Sequence, residues 1–199
     1  NLRQNFTGLL VHLSTGFIFD GKDGPYAEDT TASPDPLCFY GWSKFGGEVA
    51  AQIREPTLIV RTMDLFGTGP QTDFVRYVRD QLELSCENHY SNILYGTPTY
   101  VPHLSEAILE VANRGLTGIL HIAGDAEFTR YEWAREIAKA FDLDPDLCLP
   151  ADEVWGKAPR PLRGGLLVEK AKSLDVPIYH PCEGLADLFA REERRGGED

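Results

Sequence analysis

A short apolar run, Leu9-Leu10-Val11-His12-Leu13, breaks off into Ser14-Thr15-Gly16, and no other junction in the chain says as much about its architecture. A mostly apolar stretch bounded by small polar residues reads as a buried strand of the kind found in parallel sheets. Open α/β sheets take their ligands beyond the carboxyl ends of their strands, so the two hydroxyls stand where a ligand would arrive. They could equally do no more than terminate the strand, and taken alone that plainer reading comes first.

Past a loop rich in Gly, Pro and Asp comes Tyr40-Gly41-Trp42-Ser43-Lys44. A helix over 37–54, stopped by Pro56, puts Tyr40 and Lys44 one turn apart on the same face. A free phenol titrates near ~10, and a cation held close favours the phenolate, so such a tyrosine can exchange a proton near neutral pH. For the isolated Y-x-x-x-K pattern, a half-buried tyrosine with a solvated lysine ranks first. The hydroxyls upstream change that balance, because one of them could hold a carbonyl against the tyrosine.

Longer stretches carry a family likeness. Ser14-Thr15-Gly16-Phe17-Ile18-Phe19-Asp20-Gly21, Pro36-Leu37-Cys38-Phe39-Tyr40-Gly41-Trp42-Ser43-Lys44 and Gly47-Glu48 resemble the extended short-chain dehydrogenase/reductases. The similar branch is the dTDP-4-dehydrorhamnose reductase-like one, with S-T-D-x-V-F-D-G and P-L-x-x-Y-G-x-S-K-x-x-G-E. Leu58–Thr62 with Phe66-Gly67, Gly96-Thr97-Pro98-Thr99, Gly118–Gly124 and Arg160-Pro161 follow the same pattern in order.

The resemblance implies an α/β fold, the C-terminal part of a doubly wound parallel (Rossmann-like) sheet plus a small substrate-binding lobe. It implies NADP or NAD as cofactor and a keto nucleotide sugar as substrate. Thr15 would orient the carbonyl, Tyr40 would donate the proton, and Lys44 would lower the tyrosine's pKa and, with Tyr40, bind the nicotinamide ribose. Substrate contacts would fall on Ser14, Gly16, Asp64, Thr97 and Arg160. Two positions depart from the branch: Gly16 stands where Asp is usual, and Asp64 stands where an aromatic is usual. The methionine adenosyltransferase beta subunit resembles the same branch, so a regulatory, nucleotide-binding role is the alternative. An epimerase or dehydratase shares the same residue set.

A dinucleotide-binding unit needs a G-x-G-x-x-G turn between a strand and a helix. Gly67-Thr68-Gly69-Pro70-Gln71-Thr72 supplies only its first two glycines and lies after the tyrosine helix. The expectation is therefore a chain without the adenylate-binding half, whose first strand has an open edge. Self-association, or a partner chain covering that edge, follows as an expectation.

Composition narrows the classes. The 199 residues suffice for one core, and a net charge of −12 opposes nucleic-acid and anionic-membrane binding. No apolar run is long enough to cross a bilayer. Cys38, Cys86, Cys148 and Cys182 lack C-x-x-C spacing and read as reduced thiols in a cytoplasmic protein. Asn5-Phe6-Thr7 matches a glycosylation acceptor only formally. His12, His89, His103, His121 and His180 show no metal-ligand spacing, and His121 reads as structural. Asp20, Asp23, Glu28 and Asp29 read as a solvated acidic loop. Arg160 and Arg163 suit phosphate as well as surface ion pairing, and Trp133 and Trp155 read as core or rim packing.

The chain reads as one α/β unit, with 1–85 as the catalytic part and 86–199 as later strands and the lobe. Further expectations are a strand over 57–62, a helix over 72–84 and an irregular or strand-rich stretch at 86–100. A helix opens at Pro102 and is capped by Gly115, a strand follows at 119–123, and Thr129-Arg130-Tyr131-Glu132 forms a capping box opening a helix to Phe141. A short helix falls near Val168–Leu174, and 191–199 reads as frayed.

Overall fold

Alternation along one central strand organises the molecule, which is described here at residues 7–30, 34–53, 55–69 and 72–196 of a computed structural model. The chain enters through β1 (Leu10–Thr15), a single 3-10 turn (Gly16–Ile18) and α1 (Phe39–Ala51), then forms β2 (Thr57–Thr62). Next come β3 (Leu65–Phe66), α2 (Phe74–Glu83), β4 (Asn88–Ser91), β5 (Tyr95–Gly96), β6 (Thr99–Tyr100) and α3 (Val101–Asn113). The remainder is β7 (Gly118–His121), β8 (Phe128–Thr129), α4 (Arg130–Ala140), β9 (Cys148–Ala151), α5 (Glu169–Ser173) and α6 (Pro181–Gly196).

β1, β2 and β7 form a parallel sheet in that order, with Ser14 opposite Arg61 and Arg61 opposite His121. Every residue of β2 is buried. Successive side chains of a strand point to opposite faces. Leu58 and Val60 accordingly meet Leu104, Ala107 and Val111 of α3 on one face. Arg61 points to the other face, against α1. Among the described residues nothing pairs with the outer edge of β1, and Leu13 on that strand is 43% exposed.

A second core builds the lobe. Phe66, Val75, Val78, Tyr100, Trp133 and Ile137 pack with Leu185 and Leu188. The pairs β3–β6 and β4–β9 are parallel and β5–β8 is antiparallel, so the strand-rich stretch at 86–100 becomes short two-stranded pieces beside the main sheet.

The expected helix ends hold where local chemistry sets them. Thr129 Oγ1 accepts from the Glu132 N–H at 3.0 Å, and a Glu132 carboxylate oxygen accepts from the Thr129 N–H at 2.8 Å. Gly115, at φ +65, follows α3 and donates to the Ala112 carbonyl. One expectation fails: 191–196 is helical, not frayed, because α6 buries Leu185 and Leu188 in the lobe core and Glu192 pairs with Arg79 of α2. Residues 197–199, Arg54 and most of the Asn5-Phe6-Thr7 triplet lie outside the described residues.

Candidate functional site

The first turn of α1 lies directly on the 3-10 turn that ends β1. Gly41 permits this, since a Cβ there would run into the Phe17 carbonyl. The contact sets the Tyr40 ring edge-on to Phe17, with centroids 5.7 Å apart. One turn on, Lys44 Nζ donates to the Leu13 carbonyl at 3.2 Å. The phenol and the ammonium of one helix face thus flank the carboxyl tip of β1.

Ser14 and Thr15 occupy that tip, and both are buried. Thr15 Oγ1 accepts from the Phe17 N–H at 3.3 Å, which caps the 3-10 turn and leaves its own proton to donate. Ser14 Oγ and Thr62 Oγ1, at the ends of neighbouring strands, are buried with no hydrogen-bond partner among the described residues. Buried hydroxyls are normally satisfied, and by the strand register Ser14 shares the face of Arg61 while Thr62 shares that of Thr15. Tyr40, Lys44 and Thr15 stand around this tip, and a phenol, an ammonium and a hydroxyl are a donor set that suits ribose hydroxyls and a carbonyl oxygen.

The other candidates sit elsewhere. Gly16 faces the segment that returns from the C-terminal side: the Gly164 carbonyl oxygen is 2.8 Å from where a Cβ would stand, and Met63 Sδ is 3.2 Å away. A side chain has no room there as the segment runs. Asp64 adopts φ +49 just past β2 and pairs with Arg130. Thr97 is buried, its hydroxyl without a partner among the described residues.

Arg160 is exposed and lines a cleft of about 870 Å³ with Phe74, Tyr77, Arg130 and Trp155. A second cleft of about 720 Å³, lined by Asp64, Gly67 and Trp133, shares Phe74 and Arg130 with the first. The Arg130 guanidinium lies 4.7 Å from the Phe74 ring centroid, so the two side chains form a partition. Thr97 lines neither cleft.

Sequence reasoning gave no role to Arg130 or Phe74 and did not foresee the ion pair beneath α1, although it read the adjoining His121 as structural. In that pair Glu48 accepts from Arg61 Nε at 3.0 Å and from Nη2 at 2.8 Å. Arg61 Nη1 lies 3.5 Å from His121 Nε2, and His121 Nδ1 is within 3.2 Å of the Tyr26 and Leu167 carbonyls. Burial, reinforced by Arg61, pushes the His121 pKa down to about 3. Two signals were available: Arg61 is the one charged residue in an otherwise uncharged strand, and Glu48 extends the spacing of Tyr40 and Lys44 by one more turn.

The acidic loop is more structured than its composition suggests. Asp20 pairs with the Lys22 ammonium, accepts the Lys22 backbone N–H and accepts from the Tyr26 hydroxyl, and Lys22 foremost holds its carboxyl down at about 2. Glu28 accepts the His121 backbone N–H at 2.7 Å. Trp133 is core and Trp155 is rim. Among the described residues, no group of three His, Cys, Asp or Glu side chains could hold a metal ion, and no helix is long and apolar enough to cross a membrane.

Comparison with known proteins gives this geometry a lineage. Dehydrorhamnose reductase of Mycolicibacterium smegmatis (dTDP-4-dehydrorhamnose reductase) is 32% identical over 191 residues, covering 91% of this chain and 57% of that protein. Methionine adenosyltransferase 2 subunit beta of Xenopus tropicalis is 30% identical over 191 residues, covering 88% of this chain and 56% of that one. The chain thus spans little more than half the length of these relatives. The solved dTDP-4-dehydrorhamnose reductase of Bacillus anthracis, in complex with NADP, superposes with a TM-score of 0.83 at 26% identity, covering 92% of this chain and 65% of that one. The RmlD substrate binding domain profile matches residues 3–193, and the chain belongs to that family.

Proposed function

We propose that this chain is the substrate-side part of an NAD(P)-dependent reductase that acts on the keto group of a dTDP-linked deoxysugar. The observation that carries the reading is the placement of Tyr40 and Lys44 against the Leu13–Phe17 backbone, beside the Ser14 and Thr15 hydroxyls. Tyr40 and Lys44 would hold the nicotinamide ribose, and the bound cofactor supplies the hydride. Thr15 then holds the carbonyl oxygen of the sugar, and Tyr40 gives that oxygen its proton. The Lys44 ammonium stabilises the phenolate that remains. Arg130 and Arg160, facing one cleft, suit the phosphates of a nucleotide sugar.

A second reading has its own support. Gly16 and the ion-paired Asp64 replace side chains expected to touch the sugar, and a methionine adenosyltransferase beta subunit is among the relatives. On that reading the fold binds a nucleotide and regulates a partner without turnover. The exposed apolar side chains of α1, Phe39, Trp42 and Val49, together with the unpaired edge of β1, support assembly with a second copy or a partner chain. Light scattering at micromolar concentration tests the first of these. The four cysteines are free, which suits a reducing compartment, and we assign the protein to the cytoplasm.

The deciding experiment titrates the protein with NADPH and NADH while following nicotinamide fluorescence, then measures turnover of a dTDP-4-keto-6-deoxy sugar by parent and Tyr40→Phe. Turnover lost in Tyr40→Phe, with binding retained, is the expected result. Binding without turnover in either protein supports the regulatory role, and no binding at all counts against both readings.

A further inference from the structure

Tyr40, Lys44 and Glu48 follow one another at four-residue intervals on α1, so one helix face carries a phenol, an ammonium and a carboxylate in series. Glu48 stands at the spacing at which a helical carboxylate captures a lysine. It does not do so here. Lys44 is bonded to the Leu13 carbonyl, while both Glu48 oxygens are engaged by Arg61. The groups share one locale: His12 of β1 lies under Gly47, 2.9 Å from where a Cβ would sit, and its pKa is lowered by burial and then by Lys44, with Glu48 opposing.

Arg61 is itself fixed from behind. Its guanidinium lies 5.4 Å from the Phe19 ring centroid and touches His121, which is anchored to two backbone carbonyls. A planar fork with two parallel donors occupies both oxygens of a carboxylate at once, which a single ammonium does not. An unpaired carboxylate in the interior is costly, and Lys44, one turn away on the same helix face, is a cation placed to relieve it.

We propose that Arg61 is a positioning residue for Lys44: by saturating Glu48 it withholds that carboxylate from the lysine and leaves the ammonium at the tip of β1 beside Tyr40. The functional consequence rests on the Tyr40–Lys44 reading above, but the competition between the two cations for one carboxylate needs neither cofactor nor substrate.

Site-resolved acetylation tests this. The folded protein is treated with a limiting amount of acetic anhydride, the rate at each lysine is read by peptide mass spectrometry, and thermal unfolding is followed in parallel. In Arg61→Leu, ion pairing with Glu48 slows acetylation of Lys44 by about three- to tenfold, while exposed Lys22 and Lys157 keep their rates. Adding Glu48→Leu to Arg61→Leu returns Lys44 to the parent rate, a rescue that a merely structural clamp does not give. If Arg61→Leu fails to fold, Arg61→Lys serves instead, since an ammonium engages one oxygen and leaves the other for Lys44, and intermediate slowing is expected. A Lys44 rate unchanged or faster in the single variant, or equally slow in the double variant, overturns the proposal. Failure of the chain to bind a nicotinamide would sink the reductase reading and leave these rates where they are.

Discussion

Asp64 and Arg130 meet as an ion pair where two clefts adjoin, Arg130 lining both and Asp64 one of them. The Asp64 side chain is 8% exposed and that of Arg130 19%, so both charges are largely withdrawn from water. The carboxylate also occupies the space that a Cβ on Gly96 would fill. Its left-handed backbone, φ +49, is one that Asp and Asn adopt more readily than other side chains.

Removing one partner of this pair is predicted to be worse than removing both charges. Arg130→Leu strands a buried carboxylate and should cost about 3–5 kcal/mol. Asp64→Asn combined with Arg130→Leu keeps the backbone conformation and removes both charges, so much of that loss should return. Urea unfolding of the two variants measures the difference, and equal losses would contradict the pairing.

At Gly16 the prediction concerns space. A Cβ would stand 2.8 Å from the backbone oxygen of Gly164, which is not the tip of a flexible side chain. Gly16→Ala should therefore destabilise by about 1–3 kcal/mol through overpacking, and Gly16→Asp by at least as much. Thermal melts decide this; an unchanged Tm for Gly16→Asp would mean the returning segment moves aside freely.

His121 gives a pH dependence with a definite sign. Its folded pKa of about 3 lies below the unfolded value, so the folded protein holds the neutral ring. The stability that this confers is complete above about 6.5 and falls as pH drops towards 3, since the unfolded chain takes up the proton first. Between pH 7 and pH 5 the loss from this one residue is about 2 kcal/mol. His12 shifts in the same direction and remains in the variant. Urea midpoints at the two pH values should thus converge in His121→Gln without becoming equal. An acid slope identical to the parent's would refute the assignment.

Thr129 closes the capping box one residue before Arg130, so its loss acts on α4 and on the placement of the guanidinium. Thr129→Ala should cost about 1 kcal/mol. Thr129→Ser, which keeps the acceptor oxygen, should recover most of it in the same denaturation assay.

Much of the fold could be read from neighbouring residues. The strands around Val11 and Ile59, the helix of Tyr40, the Thr129 cap and the Gly115 stop all rest on patterns a few residues long. The far end of α6 could not, because residues 191–196 are polar and their helix is held by Leu185 and Leu188 against α4 and by Glu192 against α2. Tyr40, Lys44 and Thr15 were legible as candidates because helix spacing and a strand's end announce them. Arg130 was not, since its partner lies 66 positions earlier in the chain.

The division between the two has one physical cause. Spacing along the chain fixes which side chains share a helix face or a strand end, because backbone geometry is short-ranged, and it was enough to place the phenol and ammonium in one row. Which buried charge neutralises which depends on segments that come together only when the cores close. The pairing of Glu48 with Arg61 rather than Lys44, and of Asp64 with Arg130, was decided there, where a charge sealed from water must take whichever partner the packing delivers.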